Sequence, residues 1–92
     1  MKEVIVIRED SHGVIGVAST VFSALMFLLD TEWLDSQYDY YDKRTDSFKP
    51  IIEVFGESWE QALVEIETID EFNEFFDGSF HLEKFELFEK EA

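Results

Sequence analysis

Apolar and polar positions change their spacing several times along the chain, and each change marks a boundary between elements. Val4, Ile5, Val6 and Ile7 form an unbroken β-branched run, the pattern of a strand covered on both faces and so near the middle of a sheet. Arg8 to Gly13 supply turn chemistry before Val14, Ile15 and Val17 resume extended spacing, so residues 3–18 read as a β-hairpin. Gly16 within the second arm predicts a bulge or a close approach. Ser19 or Thr20 then caps a helix expected to run from Val21 through Trp33 and Leu34, with few polar interruptions and therefore enclosed on most sides. Residues 14–29 carry no charge, but the run falls short of the ~20 residues that span a bilayer. Glu3, Glu9 and Asp10 ahead of it spoil a cationic leader, so a strand followed by a buried helix is expected and a membrane role is not.

Residues 35–50 are polar and rich in tyrosine. Tyr38 and Tyr40 alternate with Asp39 as on a half-exposed strand, and an extra hairpin near residues 37–55 is possible. Ile51, Ile52, Val54 and Phe55, between Pro50 and Gly56, fit either an edge strand or a short helical turn. Ser58 to Gln61 matches S-x-x-Q and Thr68 to Glu71 matches T-x-x-E, two capping boxes that predict two short helices. Trp59, Ala62, Leu63 and Ile66 give the first its apolar face; Ile69, Phe72 and Phe76 give the second. Gly78 is placed to end it. A last strand is expected over residues 79–89, where the apolar phase changes from Phe80 and Leu82 to Phe85 and Leu87, predicting a bulge near Glu83 and Lys84. The sum is one acidic α+β domain over residues 1–92, with a small, mainly antiparallel sheet (the N-terminal hairpin plus the C-terminal strand) packed with about three helices.

Composition adds that the domain can fold and says what it avoids. Ten Phe, two Trp and three Tyr in 92 residues supply a dense core, and the absence of Cys removes disulfides and thiolate metal sites, which favours a reducing, cytoplasmic setting. The net charge of −15 argues against direct binding of nucleic acid or of an anionic membrane. Its distribution is uneven. Residues 1–50 sum to −4 (five bases, nine acids) and residues 51–92 to −11 (two bases, thirteen acids), with no Lys or Arg between Lys49 and Lys84.

Asp70, Glu74 and Asp77 recur at i, i+4 and i+7, opposite Ile69, Phe72 and Phe76, and Glu71 adjoins them. Glu57, Glu60 and Glu67 are expected on the outward side of the preceding helix. Helical neighbours lie ~5–6 Å apart, on the scale of successive phosphates, so these seven carboxylates can present a phosphate-like array to a basic protein such as a nucleic-acid-binding enzyme. The competing account is a solvated face that keeps a Phe-rich domain soluble. Tyr38, Tyr40 and Tyr41 form a second candidate contact surface, suited to a regulatory or structural interaction module.

Chemistry has less support. Asp35, Gln37, Asp39 and Asp46 follow the 1, 3, 5, 12 spacing of a calcium loop, but Tyr40 stands where glycine is required. His12 and His81 have no motif relation to a nucleophile, so no catalytic residue, metal or cofactor is expected. In size, acidity, lack of Cys and aromatic content the chain resembles the small acidic proteins with which bacteriophages block host nucleic-acid enzymes: anti-CRISPR, anti-restriction and glycosylase-inhibitor proteins. That resemblance implies an inhibitor acting by occupancy of a basic cleft and assigns no residue roles. An immunity protein against a basic nuclease is a related expectation.

Overall fold

The structure, a computed structural model, describes residues 2–87. Strand β1 (Lys2–Glu9) turns through residues 10–12 into β2 (Gly13–Ala18), and helix α1 (Val21–Asp30) follows. A separate hairpin, β3 (Asp39–Asp42) and β4 (Ser47–Pro50), leads into α2 (Ile51–Phe55), α3 (Trp59–Val64) and α4 (Ile69–Phe76), and β5 (Phe80–Leu87) closes the sequence of elements. β1 is the middle strand of an antiparallel sheet in the order β2-β1-β5. The α+β architecture expected from the sequence is present, with four helices among the described residues rather than three. The additional one is α2, where Pro50 supplies the N-cap position and Gly56, at φ 79°, takes the left-handed turn that ends it.

One face of the sheet carries the core. Ile5 and Ile7 of β1 and Phe80 and Leu82 of β5 are buried together with Ala24, Leu25 and Leu28 of α1, Leu63 of α3, and Phe72 and Phe76 of α4. The β-branched run of β1 is central but not covered twice. Val4 and Val6 are half-buried on the open face, where Val14, Val17 and Phe85 are 54%, 64% and 42% exposed. Helix α1 also differs from expectation: it ends at Asp30, and Trp33 and Leu34 fold back from the following loop, with the Leu34 amide donating to the Leu28 carbonyl at 3.0 Å. Its outer side is not enclosed, since Phe22 is 57% exposed.

Two register details matter. Ile7 pairs with Gly16 and Arg8 with Val14, so Ile15 is the extra residue of a bulge. A Cβ on Gly16 would lie 2.7 Å from the Phe27 ring. Gly16 therefore adjoins a bulge and itself provides the close approach. By contrast, β1 and β5 pair without a shift from Lys2↔Leu87 to Glu9↔Phe80, so the bulge expected near Glu83 and Lys84 is absent. Phe85 faces the open side of a regular strand; apolar residues on both faces had imitated a change of phase. Residues 88 and 89 of the expected strand lie outside the described residues.

At Leu82 the outer edge of β5 is covered by one side chain. Asn73 Nδ2 donates to the Leu82 carbonyl at 3.1 Å, and the Leu82 amide donates to Asn73 Oδ1 at 2.8 Å. The carboxamide thus replaces one residue of a neighbouring strand and ties α4 to the sheet.

Candidate functional site

Helix α4 is the best-defined part of the acidic surface. Thr68 Oγ1 accepts the Glu71 amide at 3.1 Å and its hydroxyl donates to Glu71 Oε1 at 3.1 Å, satisfying an otherwise orphaned donor and fixing where the helix starts; because Glu71 reaches the hydroxyl and not the Thr68 amide, only half of the expected T-x-x-E box is formed. From that start, Phe72 and Phe76 turn into the core while Asp70, Glu71 and Glu74 stay exposed. Asp77 is exposed but stands just past the helix at φ 47°, ψ 45°, followed by Gly78 at φ 92°, so it belongs to the turn into β5.

The other three carboxylates are not one face of α3. That helix spans only Trp59–Val64, so Glu60 lies on it whereas Glu57 precedes it and Glu67 follows it. Ser58 makes no side-chain cap bond and sits at ψ 27°, outside the extended conformation that a capping residue needs. The expected S-x-x-Q box is not formed.

All seven carboxylates are exposed, but they come from α4 and its ends, from α3 and from the segment before it, rather than from a single line. Glu67 and Asp70 border a cleft of about 340 Å³ shared with Glu3 and Lys84. Glu71 and Glu74 border another of about 450 Å³, shared with Glu65 and Phe75. Glu65 was not among the candidates from sequence; the end of α3 at Val64 brings it there, and no residue pattern announces that end. Among the described residues the ion pairs engage other acids: Arg8 with Glu83 at 3.1 Å, Lys84 with Glu3 at 3.0 Å, and Arg44 and Lys49 with Asp42 at 3.4 and 4.0 Å. The two His contacts go to Glu9 and Glu83. None of the seven carboxylates has a cationic partner within that set.

The tyrosines divide as the pleat of a strand dictates. Tyr38 packs on Phe76 and Phe80, with ring centroids 6.0 and 5.5 Å apart, and Tyr40 on Phe55 and Phe75, at 5.1 and 5.0 Å. Both hold the β3–β4 hairpin to the body of the protein. Tyr41 points the other way, against Phe48 at 5.3 Å, and its hydroxyl donates to Asp46. Burial raises the phenol pKa values of Tyr38 and Tyr40, and the bond to Asp46 raises that of Tyr41, so all three keep their protons at neutral pH. Asp42, only 5% exposed, shapes the hairpin turn: its Oδ1 accepts the Arg44 amide at 3.0 Å, and that bond holds its carboxyl below the usual range.

The turn between β1 and β2 is built around Glu9. Its Oε2 accepts the Ser11 amide at 2.9 Å and meets His12 Nδ1 at 2.6 Å. The His12 bond, ahead of a smaller opposing effect of burial, sets the carboxyl below its ordinary value. The calcium-loop spacing is not realised as a shell: Asp35 accepts the Gln37 amide at 2.9 Å, Asp39 is on β3, and Asp46 is in the hairpin turn with Tyr41. Among the described residues no group of three or more His, Asp or Glu side chains is placed to hold a metal ion, and no helix is long and apolar enough to cross a membrane. Comparison with known proteins gives no match to any family model, curated protein or solved structure, so the site is interpreted from its own residues.

Proposed function

We propose that this protein binds a basic protein partner through the exposed carboxylates of α4 and of the α3 segment before it, and that it acts as an inhibitor by filling a cleft that otherwise holds nucleic acid. One observation carries the reading: Glu57, Glu60, Glu67, Asp70, Glu71, Glu74 and Asp77 are exposed, and none has a cationic partner among the described residues. Uncompensated like charges at helical spacing repel by a few tenths of a kcal/mol per pair. A basic groove relieves that repulsion and exchanges its counterions for fixed carboxylates. Long-range attraction of this kind raises the rate of association more than it slows dissociation, and salt screens it.

The test begins with a partner isolated from a bacterial lysate, its association and dissociation rates measured at low and high salt with duplex DNA as competitor. Association should slow steeply with salt, DNA should compete, and the triple change Asp70→Asn, Glu71→Gln, Glu74→Gln should lower the association rate at least about tenfold at low salt. A triple variant that binds at the wild-type rate refutes the reading. A second reading draws on Phe48, which is 66% exposed beside Tyr41. If Phe48→Ser abolishes binding while the triple variant does not, the contact is an aromatic interaction module and the acidity serves solubility.

A further inference from the structure

On the side of the molecule where the β1–β2 turn meets the β3–β4 hairpin lies an open cleft of about 510 Å³. Its walls are aromatic. Trp33 and Phe80 meet edge to face at 6.5 Å, Tyr38 lies 5.5 Å from Phe80, and Phe48 stands exposed at the rim. Its two acidic lining groups are both carboxylates, Glu9 and Asp39, and no Lys or Arg lines it. Aromatic faces carry negative quadrupole potential, so rings that converge beside acids form a setting for an organic cation rather than for a neutral or anionic group. Beside the cleft the His12 imidazole packs edge-on at the Trp33 ring, with centroids 5.1 Å apart, and its Nδ1 lies 2.6 Å from Glu9. Phe80 is 2% exposed and pinned by Phe76 at 5.5 Å, which gives the cleft a rigid floor.

We infer that this cleft is a recognition site for the ammonium head of a lysine side chain on a protein partner, held against Trp33 and Tyr38, with Phe48 at the rim and Glu9 and Asp39 as counter-charges. The source of the cation rests on the reading of the partner as a basic protein; the cleft's preference for a cation does not. The site adds orientation. Carboxylates around α4 attract any basic surface, whereas one caged side chain fixes the register in which it docks.

The experiment follows the Trp33 indole N–H by NMR, with Trp59→Phe used to assign it. The probes are a capped Gly-Gly-Lys-Gly-Gly peptide, the same peptide with norleucine in place of lysine, and free tetramethylammonium. The lysine peptide should shift the signal saturably, with a Kd of about 1 mM, and the norleucine peptide should bind at least about tenfold more weakly. Asp39→Asn, at an exposed position, should weaken lysine binding about threefold, and Phe48→Ala, which leaves the Trp33 reporter in place, should weaken it by a similar factor. The triple neutral variant of α4 should stay within about twofold of wild type at matched ionic strength. Equal binding of lysine and norleucine, or the absence of a saturable shift, overturns the inference. Tetramethylammonium binding as tightly as the peptide overturns the assignment to a protein side chain. Loss of peptide binding in the α4 variant but not in Asp39→Asn would place the peptide on α4, so the cleft would fail while the proposed function stood.

Discussion

Replacing Asn73 tests whether one carboxamide closes the outer edge of β5 at Leu82. In Asn73→Leu the amide and carbonyl of Leu82 lose their partners, at 2.8 and 3.1 Å, and an apolar group of similar size keeps water from replacing them. Each bond contributes a net ~0.5–1.5 kcal/mol, and each part-buried group left unpaired costs about 1–3 kcal/mol. Since the site is only part-buried, a total near 2–4 kcal/mol is expected, at the lower end of what two unpaired groups cost. Asn73→Ala opens room for water and should cost about 1–2 kcal/mol. Urea unfolding at a constant slope reads the difference, and hydrogen exchange locates it. The Leu82 amide should lose protection, whereas the amides of His81 and Glu83, which face β1 by the alternation of an antiparallel strand, should lose much less. If Asn73→Leu costs under about 0.5 kcal/mol and Leu82 stays protected, the carboxamide is not what covers the edge.

Three other changes probe separate parts of the structure. Gly16→Ala drives a methyl to 2.7 Å from the Phe27 ring and should cost about 1–3 kcal/mol, and thermal unfolding of Gly16→Ala with Phe27→Leu should recover most of it. Thr68→Ala removes a cap bond present at 3.1 Å and should cost about 1 kcal/mol, whereas Ser58→Ala, with no cap bond to lose, should leave the urea midpoint unchanged. Glu9 has its carboxyl pKa lowered from 4.5, first by the bond to His12. Its contribution to stability is therefore complete above about pH 4.5 and is lost as pH falls through the folded-state value. Glu9→Gln should flatten the fall in unfolding midpoint between about pH 5 and pH 3, and an unchanged fall would exclude Glu9 as its source.

What the sequence made legible was what local chemistry controls. The first hairpin, the Thr20 and Thr68 helix starts and the acidic side of α4 each follow from residues within a few positions of one another, and each is present. The failures share a cause at longer range. Ser58 has the right neighbours for a cap, but the turn from Gly56 brings it in at ψ 27°, where its hydroxyl cannot reach the N3 amide. Trp33 and Leu34 continue the apolar spacing of α1, yet the helix stops at Asp30 and both residues pack from a loop. The tyrosines illustrate it best: read along the chain, Tyr38, Tyr40 and Tyr41 form one contact surface, but the fold turns the first two onto Phe76, Phe80, Phe55 and Phe75 and Tyr41 onto Phe48. The aromatic cleft was invisible for the same reason, because Glu9, Trp33, Asp39 and Phe80 come from four separate segments.

The place of β1 between its earliest and latest partners has a consequence for the order of folding. The β1–β2 hairpin closes through a three-residue turn, but the other side of β1 needs residues 80–87. At ~5–20 residues per second, about 3–12 s of synthesis separate the two events. During that interval Val4 to Ile7 present an apolar strand edge with no partner, the kind of segment that pairs with other chains. The charged pairs Lys2–Glu3 and Arg8–Glu9 bracket that run and act as gatekeepers. Nascent chains stalled before residue 80 should therefore aggregate more readily when Arg8 is replaced by an apolar residue, even where the finished protein tolerates the change.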